Sequence, residues 1–445
     1  LQKTYTLNVI KTAGKFPGQV FQAVGAGYLP LALRADYQEQ LTRLVQDCKV
    51  PRLRAHAHFH DHLGLISRSG KKMSFNFREL DKIYDFFIKL NLKPIIGLNF
   101  PDKYLVTGKE TIFKWKGNVS CPDFNRWQTF LKAYLLHLKK RYGLKQLRGW
   151  YFEIWNEPQL NEFFKGKKTD YFKLYKLSAR LIKKILPGTM VGGPNGNGPF
   201  VIDFIRYCAR CKIPLDFISL HLFAVDCAKD KDGNWLNRLV PDQNVMLEEV
   251  QTVRRALEKY KLSNTKVIAS ELNSSWGPRD PIHDTVFNAV YLLDQYKRLA
   301  PHTDLLSYWA FSDLMRENGI PPSPFYGGFG LMSEQGIKKP VYHVFKYLTK
   351  MRGLQLSLPD DYPVIAVKNK NNLEVFCWHL KIPALGKNFN QTWFNKTKPD
   401  SEIHHLRLIF ENLTGKYKVE KFVLKNGKND PFFNFQEMGR PINLT

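Results

Sequence analysis

Residues 124–158 read FNRWQTFLKAYLLHLKKRYGLKQLRGWYFEIWNEP, and the change of rhythm inside that stretch decides the fold. Phe124, Trp127, Leu131, Leu135, Leu138 and Tyr142 recur three or four residues apart, the spacing that lines one face of an α-helix. Asp123 is placed to cap its start and Gly143 to end it, with Lys139, Lys140 and Arg141 in the last turn, where the helix dipole favours cations. The rhythm then gives way to a short aromatic and β-branched run, Gly149–Trp155, which predicts a strand. That strand ends in Asn156-Glu157-Pro158.

The same unit recurs from about residue 20 to residue 350. Strands are predicted at Gln22–Gly27, Pro51–Ala57, Lys93–Phe100, Gly149–Trp155, Thr189–Pro194, Asp216–Phe223, Lys266–Asn273 and Leu305–Asp313. Each is followed by a stretch of helical period: Leu31–Cys48, Phe77–Asn91, Phe124–Tyr142, Tyr171–Leu186, Val201–Cys211, Val245–Tyr260, Val286–Ala300 and Pro340–Met351. Such a series fits an α/β fold of the (β/α)8 TIM barrel type, in which helices cover a closed ring of parallel strands through right-handed crossovers. An open doubly wound sheet would carry a glycine-rich phosphate loop after its first strand, and Val24-Gly25-Ala26-Gly27-Tyr28 matches that fingerprint poorly. After about residue 352, short alternating runs (Val364–Val367, Leu373–His379, His405–Phe410, Lys418–Leu424) are separated by Asn, Gly and Pro, which predicts a small antiparallel β-sandwich. Thr4–Lys11 alternates too and is assigned to it, so residues 15–351 form the barrel and residues 1–14 with 352–445 the accessory domain.

With 445 residues, 44% of them hydrophobic and 14% aromatic, the chain can bury a large core and is neither disordered nor collagen-like. Lys and Arg number 67 against 40 Asp and Glu, a net charge of +27. That balance suits an anionic partner (nucleic acid, a membrane surface, an acidic polysaccharide) and equally a soluble basic protein. The cations come as scattered clusters, Lys71-Lys72, Lys167-Lys168, Lys183-Lys184 and Lys338-Lys339 among them, which reads as solvated surface. No apolar run approaches the roughly 18 residues that span a bilayer. Neither nucleic acid nor membrane is therefore expected as a partner, and the oligomeric state is left open. Six cysteines are too few for a disulfide scaffold, and the neighbouring Cys208 and Cys211 lack the second pair or histidine cluster of a metal site. The start at Leu1, without Met, suits a processed, exported chain. Asn118, Asn273, Asn390, Asn395, Asn412 and Asn443 begin glycosylation sequons, which carry glycans only in a eukaryotic secretory route.

Chemistry in such barrels gathers at the C-terminal ends of the strands. The fourth predicted strand delivers Glu157 there, and the seventh, Val267-Ile268-Ala269-Ser270-Glu271, delivers Glu271. These strands face one another, so the two carboxyls can converge on one bound molecule. Hydrolysing a glycoside with retention needs such a pair about 5–5.5 Å apart, one protonated to assist the leaving oxygen and one ionised to attack. Mutual repulsion pushes the pKa values of such a pair apart. The bland alternative is an ion pair between either glutamate and a barrel arginine or lysine. Two glutamates at facing strand ends, one of them between Asn and Pro, favour catalysis.

Trp155-Asn156-Glu157-Pro158 with a later strand-end Glu271 resembles the signature of clan A glycoside hydrolases, and the wider sequence resembles their family 39, which holds β-xylosidases and α-L-iduronidases. The resemblance is carried by Leu33-Arg34-Ala35-Asp36, Trp115-Lys116-Gly117-Asn118, Trp150 to Pro158, Pro281-Ile282-His283-Asp284-Thr285, Tyr308 to Asp313, Gly327-Gly328-Phe329-Gly330 and Glu437-Met438-Gly439, nearly the whole chain. It implies a retaining exo-glycosidase, most like a β-xylosidase, acting on a carbohydrate with no cofactor and no metal. On this resemblance Glu157 is the acid/base, Glu271 the nucleophile, and Asn156 a donor to the sugar 2-hydroxyl. His56 and His221 match positions that hydrogen-bond the sugar, although as lone histidines they read equally well as satisfied core. Trp115 and Trp309 match aromatic positions near the sugar, and Glu317 lies in a loop that reaches the pocket.

Three departures bear on the substrate. Two residues after the position of His221, β-xylosidases of the family usually carry a tyrosine whose hydroxyl bonds the nucleophile, and the iduronidases a lysine that meets the uronate. Phe223 stands there in this chain, which argues against a uronidase. In Asp313-Leu314-Met315-Arg316-Glu317 an arginine replaces a frequent second acid, either as a cation site for an acidic sugar or as a surface ion pair. His56-Ala57-His58-Phe59-His60-Asp61-His62 is richer in histidine than the family pattern, but its histidines share one face only until the strand ends, short of a metal site. The rivals to a β-xylosidase are a glycosidase for an acidic polysaccharide and a non-catalytic glycan-binding relative in which Phe223 ended turnover. A glycan on Asn273, two residues past Glu271, would block the pocket, which favours a bacterial exported protein.

Overall fold

The computed structural model describes residues 2–18, 23–70, 72–370, 372–396 and 405–442. Eight strands close into a parallel barrel: β1 (Ala23–Tyr28), β2 (Arg52–His56), β3 (Lys93–Leu98), β4 (Tyr151–Ile154), β5 (Met190–Gly196), β6 (Phe217–Leu222), β7 (Lys266–Leu272) and β8 (Leu305–Tyr308). Each pairs with the next, and β8 returns to β1 with Ser307 opposite Ala23 and Tyr308 opposite Val24. The helices outside them are α1 (Ala35–Cys48), α2 (Arg78–Lys89), α3 (Phe124–Leu147), α4 (Lys168–Ile185), α5 (Gly198–Arg210), α6 (Val245–Lys259), α7 (Val286–Leu299) and α8 (Pro340–Leu348). All eight predicted strand–helix units are present; Gln22, the expected start of the first strand, lies outside the described residues.

Helix α3 shows why the sequence folds this way. Asp123 caps it by accepting from the backbone N–H groups of Asn125 and Arg126 at 3.1 and 3.0 Å. Trp127, Leu131, Leu135 and Leu138 bury the apolar stripe completely. Gly143 breaks the helical backbone with φ 72° and ψ 158°, a conformation open to glycine, before a last turn leads into β4. The eighth strand is shorter than its apolar run, because Ala310 and Phe311 donate to Phe329 and Gly25 and leave the regular ladder.

The barrel interior is a stack of unlike layers. Ala23, Ile95, Tyr151, Phe217, Ile268 and Leu305, from the early parts of their strands, form an apolar floor. Further along, β2 and β4 contribute Arg54 and Glu153, both fully buried. The strand ends above them carry His56, Asn156, His221 and Glu271.

Outside the barrel, Thr12–Lys15, Leu354–Leu356, Val364–Lys368 and Leu373–Cys377 make a four-stranded antiparallel sheet. Gln2–Asn8 pairs with His405–Glu411, and this pairing is parallel, contrary to the antiparallel expectation. Two strands almost a whole chain apart are joined by no hairpin, so nothing forces them to run in opposite directions. Tyr5, Leu7 and Val9 meet Leu356, Val364 and Ala366 in a small apolar cluster of their own. The expected strand Lys418–Leu424 does not form: the segment is mostly exposed, Val419 to 84%, and pairs with no strand among the described residues. A short helix, Pro431–Glu437, instead packs Phe432 and Phe435 on Phe325 in the loop beyond β8.

Three of the six sequon asparagines are buried. Asn273 and Asn390 are fully enclosed and Asn118 nearly so. The amide of Asn273 donates to the Trp309 carbonyl at 2.6 Å and that of Asn390 to Asp280 at 2.8 Å. Asn443 lies outside the described residues.

The tightest place in the barrel wall tests this packing. A side chain on Gly192 of β5 would place its Cβ 2.2 Å from the Phe217 carbonyl oxygen on β6 and 2.5 Å from the Phe217 ring. Gly192→Ala is expected to cost roughly 1–3 kcal/mol through overpacking, read as a lower midpoint in urea unfolding; an unchanged midpoint would mean the wall is looser than described.

Candidate active site

The site is built first by an unusual turn at the end of β4. Trp155 and Glu157 both lie in the left-handed region, with φ 70° and 46°, which non-glycine residues occupy only when their surroundings hold them there. Here the surroundings do. Trp155 N–H donates to Leu98 at 3.2 Å, Glu157 N–H donates to Asn195 at 2.9 Å, and the Asn195 amide donates to the Trp155 carbonyl at 2.6 Å. The Trp155 indole is fully buried and donates to the Phe163 carbonyl. The two side chains beside it, Asn156 and Glu157, are thereby delivered to the barrel mouth.

Arg54 organises what they meet. Its guanidinium donates through Nε to Glu153 at 2.7 Å, through Nη1 to Glu271 Oε1 at 2.5 Å and through Nη2 to Asn156 Oδ1 at 3.1 Å. One buried cation thus serves two buried carboxylates and one amide, and its planar fork suits several acceptors at once. Burial raises the pKa of Glu271, but the charges of His221 and Arg54 and the hydrogen bond from His56 outweigh it and hold the group well below the usual carboxylate range.

The proton on His56 can be placed from the hydrogen bonds around it. Ala57 N–H must donate, so the atom of Asn99 that it meets at 2.9 Å is the carbonyl oxygen. The Asn99 amide nitrogen then donates to His56 Nδ1 at 3.1 Å, which leaves the ring proton on Nε2, aimed at Glu271 Oε1 at 3.1 Å. Burial and the Arg54 charge push the His56 pKa down to about 4, so the ring is neutral above that pH.

His221 joins the two glutamates. It stands opposite Glu271 in the β6–β7 register. Its Nδ1 lies 3.0 Å from Glu157 Oε1 and its Nε2 lies 3.6 Å from Glu271 Oε1. A single imidazole therefore spans the gap between the carboxyls, whose side chains are only 17% and 9% exposed. Every polar partner of Glu271 falls on Oε1; among the described residues Oε2 has none.

The remaining predicted residues form the walls. Trp309 packs edge-on against His56 at 4.9 Å between centroids and lies under Arg54 at 5.4 Å. Trp115 stacks on Tyr28 at 4.5 Å and reaches His56 only through Phe100. Glu317 sits half-buried nearby, and burial together with the charges of Glu271 and Glu157 raises its pKa well above the carboxylate range. Phe223 joins Trp309, Met315 and Phe329 in an apolar patch and offers the nucleophile position no hydroxyl. Arg316 is engaged by both oxygens of Glu334 at 2.6 and 2.7 Å, the ion-pair alternative of the two readings. The four histidines of residues 56–62 part company: His58 is buried against Tyr84, while His60 and His62 both bond the Tyr28 hydroxyl.

Sequence reasoning missed Arg54, Glu153, Asn99 and Asn195. A signal for the first two existed, since a charged side chain in the middle of an apolar barrel strand must be paired inside. For the two asparagines, whose work is to orient other groups, the sequence holds no comparable mark.

The sequence model of the glycosyl hydrolases family 39 matches residues 5–445. A beta-xylosidase of Geobacillus stearothermophilus is 34% identical over 80% of this chain and 73% of its own length. One of Caldicellulosiruptor saccharolyticus is 33% identical over 85% of this chain and 79% of its own. Among solved structures, a monomeric beta-xylosidase from Caulobacter crescentus CB15 superposes with a TM-score of 0.90 at 31% identity, covering 100% of this chain and 90% of the other.

Removing the central cation has a defined consequence. Because Glu271 has a depressed pKa in the folded state, its pairing contributes full stability above the unfolded carboxyl value of about 4.3 and loses it as pH falls through the lower folded value. Arg54→Gln should move the acid limb of the kcat/KM profile to higher pH and destabilise the fold by about 3–5 kcal/mol, since two carboxylates are left buried without their cation. An acid limb that does not move would show that Arg54 does not set the charge of Glu271.

Proposed function

This chain belongs to the glycosyl hydrolases family 39, and we propose that it releases a terminal β-xylosyl unit from an oligosaccharide or glycoside with retention of configuration, Glu271 acting as nucleophile and Glu157 as acid/base. The observation that carries the reading is the His221 ring, with one nitrogen on each glutamate at 3.0 and 3.6 Å. It ties together the two carboxyls carried at the ends of β4 and β7.

The division of labour follows from the partners. Arg54 and His56 keep Glu271 ionised and occupy Oε1, so Oε2 is the oxygen free to attack the anomeric carbon. As the new C–O bond forms, the bond to the leaving oxygen breaks and Glu157 supplies that oxygen with its proton. In the second step Glu157 takes a proton from water, the water oxygen bonds the anomeric carbon, and the ester to Glu271 breaks, releasing the sugar and restoring both carboxyls. His221 Nδ1, 3.0 Å from Glu157 Oε1, keeps that carboxyl group in place beside the leaving oxygen. With Phe223 offering no hydroxyl, Arg54 and His56 still give Glu271 two hydrogen-bond donors, which favours an active enzyme over a glycan-binding protein. The capture of Arg316 by Glu334 favours a neutral terminal sugar over an acidic one.

Two measurements test the assignment. A 2-deoxy-2-fluoro-β-xyloside bearing an activated leaving group should inactivate the enzyme and add one 2-deoxy-2-fluoroxylosyl unit to the peptide containing Glu271 by mass spectrometry; labelling elsewhere, or none, removes the nucleophile assignment. Glu157→Ala should slow substrates with poor leaving groups at least a hundredfold more than activated aryl xylosides, because only the former need a proton; equal losses on both would remove the acid role.

A further inference from the structure

Six of the nine tryptophans are buried, and Trp276 is half-buried. The remaining two, Trp235 and Trp393, are 48% and 40% exposed. Trp235 belongs to a hairpin, Val225–Lys229 with Trp235–Leu239, inserted between the end of β6 and α6. Trp276 lies in the loop that follows β7, five residues beyond Glu271. The Trp235 and Trp276 rings meet at 5.7 Å between centroids and 79° between planes, so two indoles form a corner on the segments that follow the strands carrying His221 and Glu271.

The corner is fixed in place. Ala224 N–H donates to the Ser274 carbonyl at 3.1 Å and Val240 N–H to the Ala224 carbonyl at 2.8 Å, tying the hairpin base to the β7 loop. Asn390 reaches in from the chain beyond the barrel, accepting from Leu239 N–H at 3.0 Å and donating to Asp280 at 2.8 Å, while Gln391 accepts from Asn237 N–H at 3.1 Å. Lys229 Nζ stands 4.6 Å over one face of the Trp235 ring, and Trp235 keeps 48% of its surface exposed. Holding a large aromatic ring half in water on a stapled hairpin brings the fold little burial. A rigid, amphipathic ring presented this way is suited to a ligand with an apolar face.

We infer that Trp235 and Trp276 form the leaving-group subsite, on which the sugar next to the scissile bond of a xylo-oligosaccharide stacks its C–H face. The inference rests on the glycosidase reading of the preceding subsection and extends it to the part of the substrate outside the pocket.

The test compares xylotriose with β-xylosyl fluoride, whose leaving group has no ring to stack. Trp235→Ala and Trp276→Ala should each lower kcat/KM on xylotriose about tenfold, mainly through KM, and change kcat/KM on the fluoride less than twofold. Trp235→Phe should recover most of the loss, because it restores an aromatic face. Undiminished activity on xylotriose, or an equal loss on both substrates, overturns the subsite. If the unaltered enzyme fails to hydrolyse β-xylosyl fluoride, it is the glycosidase reading that has failed.

Discussion

A guanidinium buried at the heart of the barrel is the interaction on which the rest of the site depends. Arg54 would be prohibitively costly there alone, and so would Glu153 and Glu271; together they are mutually compensated. The fork geometry then turns a charge balance into a coordinate system. Each nitrogen of Arg54 has a different acceptor, on β4, β7 and the turn beyond β4, so one side chain sets the relative positions of groups distant in the chain. It also separates the two glutamates chemically: Glu271 is tied to a fixed cation, and the Glu157 carboxyl meets the imidazole of His221.

The same economy extends outward. An apolar floor fills the early half of the barrel, and above it Arg54, Glu153, Asn156 and Glu271 find partners in one another. Asn99 and Asn195 contribute no chemistry, yet one fixes the tautomer of His56 and the other holds a turn that two non-glycine residues make in an unfavourable region. Segments beyond the barrel take part as well, since Asn390 and Gln391 brace the hairpin between β6 and α6.

The fold was legible because helical and strand periods alternate clearly, as between Phe124 and Trp155, and because the breaks fall at residues such as Gly143 whose backbone preferences mark them. Glu157 and Glu271 were legible because a carboxylate at a barrel strand end has few structural reasons to be there. Arg54 and Glu153 were overlooked because their role is a relation between two strands, which no local spacing encodes. The parallel pairing of Gln2–Asn8 with His405–Glu411 was hidden for a similar reason: alternation reveals that a strand has two faces, not which neighbour it takes or in which direction. The segment Lys418–Leu424 shows the converse, an alternating pattern that stays exposed and irregular.

The enclosed amides of Asn118, Asn273 and Asn390 constrain how the protein can be made. Oligosaccharide transfer in the endoplasmic reticulum acts on the nascent polypeptide, ahead of tertiary structure, and so takes no account of which asparagines will end up inside. A sugar tree attached to Asn390 would have no room beneath the hairpin, and the amide nitrogen that it substitutes is the one that reaches Asp280. Yeast or insect secretory expression would therefore yield chains unable to close, whereas a cytoplasmic or periplasmic bacterial host leaves these side chains as the fold requires them.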